Sequence, residues 1–308
     1  ASYMYALDYA RTRIQGRHIL AGKNKEAESV RIIEHPDVRR QLLTMKSLVE
    51  GMRSLLYYNA RCIDEAGTTD DPEEKKRFGA LVEVLTPIVK GYVTDRSLEV
   101  CSHGIQVYGG YGYIGEYPVE QLMRDSRIFM IYEGTNGIQA ADLLGRKLSM
   151  HGGQAFAWYL EAMRKTVEEA GQQAELADLA EKVGQAVTRL ESTAENLKER
   201  IKAGGVLNAF SFAHPFLEIA GDVSVAWMLL WRASVALPKL LKKAGTLEMP
   251  EVMEKAEKNK DAAFYAGQWK TASFFINKML PGTIGKMDAV FGADTSVEDL
   301  PEAGFGSR

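Results

Sequence analysis

The sequence predicts an all-α protein made of two helical blocks in tandem, with the boundary near residue 150. Apolar residues recur at three- and four-residue steps over long stretches, and period-two alternation is almost absent. Helix starts and stops are marked by Asp-Pro, Thr-Asn and Gly punctuation. The composition also changes after residue 153, where alanine and glutamate become abundant.

At 308 residues the chain is long enough for one large or two moderate domains. It is 46% hydrophobic and 26% charged, the balance of a soluble globular protein. A net charge of −3 gives no reason to expect nucleic acid or an anionic membrane surface as partner. No signal peptide is recognised, and no run of 18 apolar residues exists. Cys62 and Cys101 lie far apart and form no redox or metal motif, which fits a reducing cytoplasm. The five histidines form no HExxH-type group, so no metal site is expected.

The first helix is expected from Ser2 to Gln15, ending near Gly16 and leaving Arg11, Arg13, Arg17 and His18 as a basic cluster. It opens without a capping residue, as a truncation product would. A polar linker follows from Gly22 to Ser29, and Pro36 suits a first helical position. From there apolar residues at 38, 42, 45, 48, 52, 55 and beyond form one stripe, closed by Gly67. Asp71 as N-cap, Pro72 at N1 and Glu73–Glu74 against the helix dipole start a third helix. It runs past Pro87, where a kink is expected, towards Val107.

The glycine-rich stretch QVYGGYGYIG then breaks the pattern. Pro118 restarts a helix that halts at Glu133–Gly134, and Thr135 or Asn136 can cap the next one, through Leu148. HGG at 151–153 closes the first block. The second block has helical patterns over 154–204, 221–236, 251–262 and 262–280, and then a loosely ordered tail. The expected domains are 1–150 and 151–285, with 286–308 as the tail.

Residues 110–115 match GxGxxG, but a helix leads in and Pro118 delays the next helix, so a strand–turn–helix dinucleotide loop is rejected. These glycines suit close backbone approach to a ligand or another subunit, or equally a plain turn between helices. Glu133 is the candidate acid–base group. The apolar run Ile128–Tyr132 before it implies a partly desolvated carboxylate, and desolvation raises a carboxyl pKa towards that of a general base. The helix start after it can hold a ligand oxygen. Arg13 and Arg17, read as sharing a helix face, could grip a pyrophosphate or simply face water. Arg124, Asp125 and Arg127 are read as ion-pairing partners for neighbouring helices.

YARTRIQGR, about 90 residues of helix, then QVYGGYGY, YPVEQLMRDSRI and IYEGTNGIQ resemble the C-terminal helical domain, a four-helix bundle, of flavin-dependent acyl-CoA dehydrogenases. Order and spacing both agree over residues 1–150. In that family the preceding half of the polypeptide supplies a helical and a β-domain. The resemblance implies FAD as cofactor, an acyl-CoA substrate and electron-transfer flavoprotein as electron acceptor. It implies that Glu133 removes the Cα proton while the Cβ hydrogen passes as hydride to the flavin, giving a 2,3-enoyl-CoA. By the same resemblance Arg13 contacts the flavin pyrophosphate and Thr135 the flavin. Gln106, Gly109 and Gly110 meet the adenine end of FAD held by a neighbouring subunit, which implies a homo-oligomer. Tyr132 and Gly134 flank the thioester. The isolated chain is expected to bind FAD weakly and to be inactive.

Two positions depart from the family pattern. Gln15-Gly16-Arg17 stands where Gln-Phe-Gly is usual, and Gly137 stands where a Gln is common. The second block, around LNAFSFAHPFLEIAGDVSVAWMLLWRA, is similar to the extension in the longer subgroup that includes 3-methylmercaptopropionyl-CoA dehydrogenases. The alternatives are an acyl-CoA oxidase, which passes electrons to oxygen, and a non-catalytic helical family member.

Overall fold

The computed structural model describes residues 1–306, and their contacts group into two compact units. The first holds Ala1–Glu50 and Val93–Glu133; the second holds Gly51–Tyr92 and Gly134–Arg308. Two long helices, α2 (Pro36–Thr68) and α3 (Pro72–Tyr108), contribute a segment to each. Asp71 starts α3 as expected, accepting from Glu73 N–H at 2.9 Å, and the helix runs through Pro87.

In the first unit, α1 (Ser2–Thr12) packs on the C-terminal part of α3 through small residues. A Cβ on Gly104 would lie 2.1 Å from Ser2 Oγ, so glycine is what permits the approach. Ala6, Ala10, Met45 and Leu48 are fully buried here. The expectation of helix to Gln15 is corrected. Ile14–Arg17 forms β1 and pairs antiparallel with β2 (Ser29–Arg31), Gly16 taking φ 72°. Pairing with a segment some 15 residues away satisfies these backbone groups better than another helical turn. The unit closes with α4 (Pro118–Arg127) and a 3₁₀ turn, Ile128–Met130. The ion pairs expected of α4 do not form among the described residues. Asp125 accepts from Gln121 at 2.7 Å, and Arg127 reaches Met130 Sδ.

The second unit is organised around α9 (Ala213–Ala244), which is apolar on nearly every face over residues 216–230 and long enough to cross a bilayer. Its apolar window is 78% buried inside the protein, which is the state of a core helix. Packed on it are α5 (Asn136–Gly145), α6 (Gln154–Gly171), α7 (Ala177–Lys202), α11 (Lys260–Phe274) and α12 (Leu280–Gly292). Gly221 lies under Tyr92, where a Cβ would sit 2.1 Å from the ring. The Tyr92 hydroxyl donates to buried Asp222 at 2.8 Å, and Asp222 also accepts from Thr283 at 3.0 Å and Lys286 at 3.2 Å.

The loosely ordered tail is corrected as well. Pro281 occupies the first turn of α12, where no N–H is needed, and Leu280, Thr283, Met287 and Val290 are buried. Residues 294–298 are tied down by Asn208, on the short helix α8 (Val206–Ser211), which donates to Asp294 O at 2.9 Å and Glu298 at 3.2 Å.

Candidate active site

The segment after α4 is built to turn sharply. Tyr132 N–H still bonds back to Ile128 O at 3.2 Å. Glu133 then enters the left-handed region at φ 55°, and Gly134 follows at φ 82°. For a glutamate this conformation costs about 1–2 kcal/mol, because Cβ crowds the carbonyl. Strain of this kind at a non-glycine residue is worth a functional question. Thr135 is the N-cap of α5, its hydroxyl accepting from Ile138 N–H at 3.4 Å, as the sequence allowed.

Within the second unit Gly134 is anchored by Lys90, which no sequence signal singles out, and by Asn136, which the sequence offers only as a possible cap. Lys90 on α3 donates to Gly134 O at 2.6 Å and to Asn136 Oδ1 at 2.8 Å. Asn136, 5% exposed, donates in turn to Gly91 O at 3.0 Å. Gln139 lies close on another side: a Cβ on Gly134 would come within 3.1 Å of its Nε2. A lysine 44 residues upstream shares no local pattern with the turn, so only the folded chain reveals the pairing.

One expectation about Glu133 is corrected. The apolar run before it is not buried: Ile131 and Tyr132 are each 50% exposed, Ile128 is 52% exposed, and Glu133 itself is exposed. The physical reason is that α4 gives way to a short 3₁₀ turn at Ile128. The run therefore never forms a helical stripe that could lie against a core. Within the run the Phe129 and Tyr132 rings meet at 6.1 Å.

Arg13 sits in the first unit just after α1, in extended conformation (φ −71°, ψ 119°), with its N–H bonded to Tyr9 O at 2.9 Å. Its guanidinium lies 5.5 Å over the Tyr111 ring. An aromatic ladder fixes that ring: Tyr9 stacks on Tyr108 at 4.1 Å, Tyr108 meets Tyr117 at 5.7 Å, and Tyr117 stacks on Tyr111 at 5.2 Å. Burial pushes the Tyr9 and Tyr108 phenols above their ordinary values. Arg13 Nε is buried and has no hydrogen-bond partner among the described residues. The shared helix face proposed for Arg13 and Arg17 does not exist, because α1 stops at Thr12 and Arg17 lies on β1. Arg17 Nε donates instead to Ala27 O at 3.0 Å, which ties the loop.

The structure thus brings Arg13 to the glycine-rich stretch. Gln106 is exposed on the last turn of α3, and the 3₁₀ turn Gly109–Gly112 follows it directly. Gly109 has φ 63°, and neither Gly109 nor Gly110 has any atom within 4 Å of an added Cβ. Both present open backbone. Gly112 differs: a Cβ there would lie 2.6 Å from Ile105 O, so it serves packing. The turn joins two helices, α3 and α4, and has no strand leading into it as a dinucleotide loop requires.

Comparison with known proteins gives two family matches. The model described as acyl-CoA dehydrogenase, C-terminal domain, matches residues 3–148, and the one described as acetyl-CoA dehydrogenase C-terminal like matches residues 159–301. The 3-methylmercaptopropionyl-CoA dehydrogenase of Ruegeria pomeroyi is 36% identical over 288 residues, covering 91% of this chain and 44% of the relative. A butyryl-CoA dehydrogenase of Syntrophomonas wolfei is 32% identical over 308 residues, covering 98% and 47%. The chain spans about half the length of the curated relatives it matches. Among solved structures, an acyl-CoA dehydrogenase from Bacillus anthracis, complexed with FAD, shares the fold at TM-score 0.57 and 19% identity. That match covers 94% of this chain and 48% of the other.

Proposed function

Because the chain belongs to the acyl-CoA dehydrogenase family, we propose that it forms the C-terminal portion of an FAD-dependent acyl-CoA dehydrogenase, with Glu133 as its base. The observation that carries the assignment is the conformation of Glu133. A carboxylate held at φ 55°, ahead of a capped helix and inside the family-matched segment, is a strained group kept in place.

In this reading Glu133 accepts the proton from Cα of the acyl-CoA thioester and becomes the neutral acid. A bound flavin would supply the acceptor for the Cβ hydrogen and its electron pair, so that loss of both hydrogens would leave the Cα–Cβ double bond of a 2,3-enoyl-CoA. Lys90, itself held by Asn136 Oδ1, donates to the Gly134 carbonyl and so fixes the turn that aims Glu133. Tyr132 and Gly134 border the thioester, and the exposed apolar run supplies one dry wall beside the carboxylate. Substrate and protein surface beyond these residues complete that wall, and excluding water there makes the carboxylate a stronger base.

The residues fit a flavin dinucleotide. The buried, unpartnered Nε of Arg13 suits a pyrophosphate oxygen, and open backbone at Gly109 and Gly110, with Gln106 beside it, suits the adenine end. Thr135 already caps α5, so any flavin contact uses what remains of its hydroxyl. Homo-oligomerisation, delivery of electrons to electron-transfer flavoprotein and weak flavin retention by the isolated chain belong to the same proposal. So does the division into modules at residues 1–150 and 151–285, which the two family matches support. Two buried free thiols support a cytoplasmic setting.

The test is Glu133→Gln in the full-length protein, assayed with acyl-CoA and an artificial electron acceptor. Turnover is expected to fall by about 10²–10⁴-fold or more, with flavin content unchanged. Activity near the parent level would remove Glu133 from the role of base.

A further inference from the structure

A cavity of about 430 Å³ lies in the second unit between α2, α9 and α11. None of the residues assigned above lines it. Its walls are aromatic, with Tyr58, Trp231, Phe264 and Tyr265 among them. Tyr58 meets Trp231 edge-on at 6.0 Å, and Trp231 stacks on Trp227 at 6.3 Å, so the wall is rigid.

The polar groups of the cavity point to one charge. Arg61, Arg232 and Lys239 line it, and no carboxylate does among the described residues. Arg61 is answered by Glu65 at 3.2 Å. Lys239 lies 5.9 Å over the Tyr265 ring and has no carboxylate partner among the described residues. Gln268, 4% exposed, accepts from Arg232 Nε at 2.8 Å through Oε1, which fixes the orientation of its amide. Arg232 is steadied further by Ser54 Oγ at 3.0 Å. The other end of the amide, Nε2, is buried with no hydrogen-bond partner among the described residues. A buried orphan donor is costly and calls for an acceptor. Volume, aromatic walls, a lining residue with an orphan donor and local positive charge together describe a small-molecule site.

We propose that this cavity is a second binding site, taking a small apolar carboxylate. Its ring or chain lies between Trp231 and Phe264, and its carboxylate accepts from Gln268 Nε2 and faces Lys239. The site reads the free acid, because a neutral head would leave the positive charge unanswered and offer Gln268 a weaker acceptor.

The experiment titrates full-length protein with 4-phenylbutyrate and with its neutral amide, 4-phenylbutyramide, followed by saturation-transfer NMR. Binding alone is read, so the outcome is independent of whether Glu133 is the base. The carboxylate is expected to saturate with Kd about 1 mM or tighter, and the amide to bind about 10-fold more weakly. Lys239→Glu, at an exposed position, weakens the carboxylate about 5- to 10-fold, within the range for a charge-assisted contact. Val235→Trp, at the rim and 49% exposed, abolishes binding by obstructing the mouth of the cavity. Equal affinity for acid and amide, binding unchanged in both variants, or no saturation by about 10 mM overturns the proposal.

Discussion

If Glu133 is kept in a left-handed conformation for its chemistry, glycine at that position should stabilise the fold while removing the activity. The perturbation is the pair Glu133→Gly and Glu133→Ala; using alanine as the reference cancels whatever contacts the glutamate side chain makes. Alanine retains the Cβ and therefore the strain of φ 55°, which for a residue with Cβ is about 1–2 kcal/mol. Glycine relieves it but gains freedom in the unfolded chain, an opposing contribution of about 0.4–1 kcal/mol. The balance leaves Glu133→Gly more stable than Glu133→Ala by roughly 0.5–1 kcal/mol. Urea unfolding followed by circular dichroism measures it, provided the two variants share one m-value. Both variants should lack dehydrogenase turnover in the full-length protein. Glycine less stable than alanine would show that the turn is not strained at Glu133, and turnover in either variant would remove the carboxylate from the reaction.

Three further outcomes follow from other parts of the site. Arg13→Met in the full-length protein should weaken flavin binding about 10- to 100-fold, the worth of a charge-assisted hydrogen bond, read as flavin absorbance retained after dialysis. Asn136→Ala removes the buried amide that joins Lys90 to Gly91 O, so about 1–3 kcal/mol of stability should be lost in a denaturant titration, with kcat falling further than flavin content. His103, in the first unit, has its pKa held below the ordinary 6.5, chiefly by burial, with Arg40 acting in the same direction against Glu99 and Asp37. A histidine depressed in the fold binds its proton more readily when unfolded. Stability should therefore fall as pH drops below 6.5 towards the folded-state value, and His103→Gln should flatten that part of the thermal-melt profile.

Helix starts are legible because caps act locally. Asp71 accepts from an N–H two residues on and Thr135 from one three residues on, so the residues that decide the boundary sit side by side in the sequence. Helix ends decided by distant partners are not legible in this way. Ile14 continues the apolar spacing of α1, but Arg13 O accepts from Ile32 N–H at 2.8 Å, and that bond draws the following residues into a strand. Pro281 carries the opposite lesson. An interior proline weakens a helix, although α3 runs through Pro87 and α9 through Pro238; at the first turn of α12 proline begins one, and the packing of Met287 and Val290 marks that case.

At the site, the reading of residues 128–132 shows how an apolar composition can be assigned the wrong neighbour. Five consecutive residues rich in Ile, Phe and Met predict burial, and within this chain four of them are one-third to one-half exposed. Helical spacing gives no help, because the 3₁₀ turn at Ile128 removes the stripe that would have faced a core. An exposed apolar cluster beside a strained carboxylate is better read as a surface awaiting cover than as misplaced core. In the proposed enzyme, the acyl-CoA and the adjoining protein supply that cover, and dehydrate Glu133 only when substrate is present. The same residues then account both for the exposure seen here and for the basicity that the reaction needs, since a carboxylate left permanently in an apolar pocket would already be protonated before the thioester arrived.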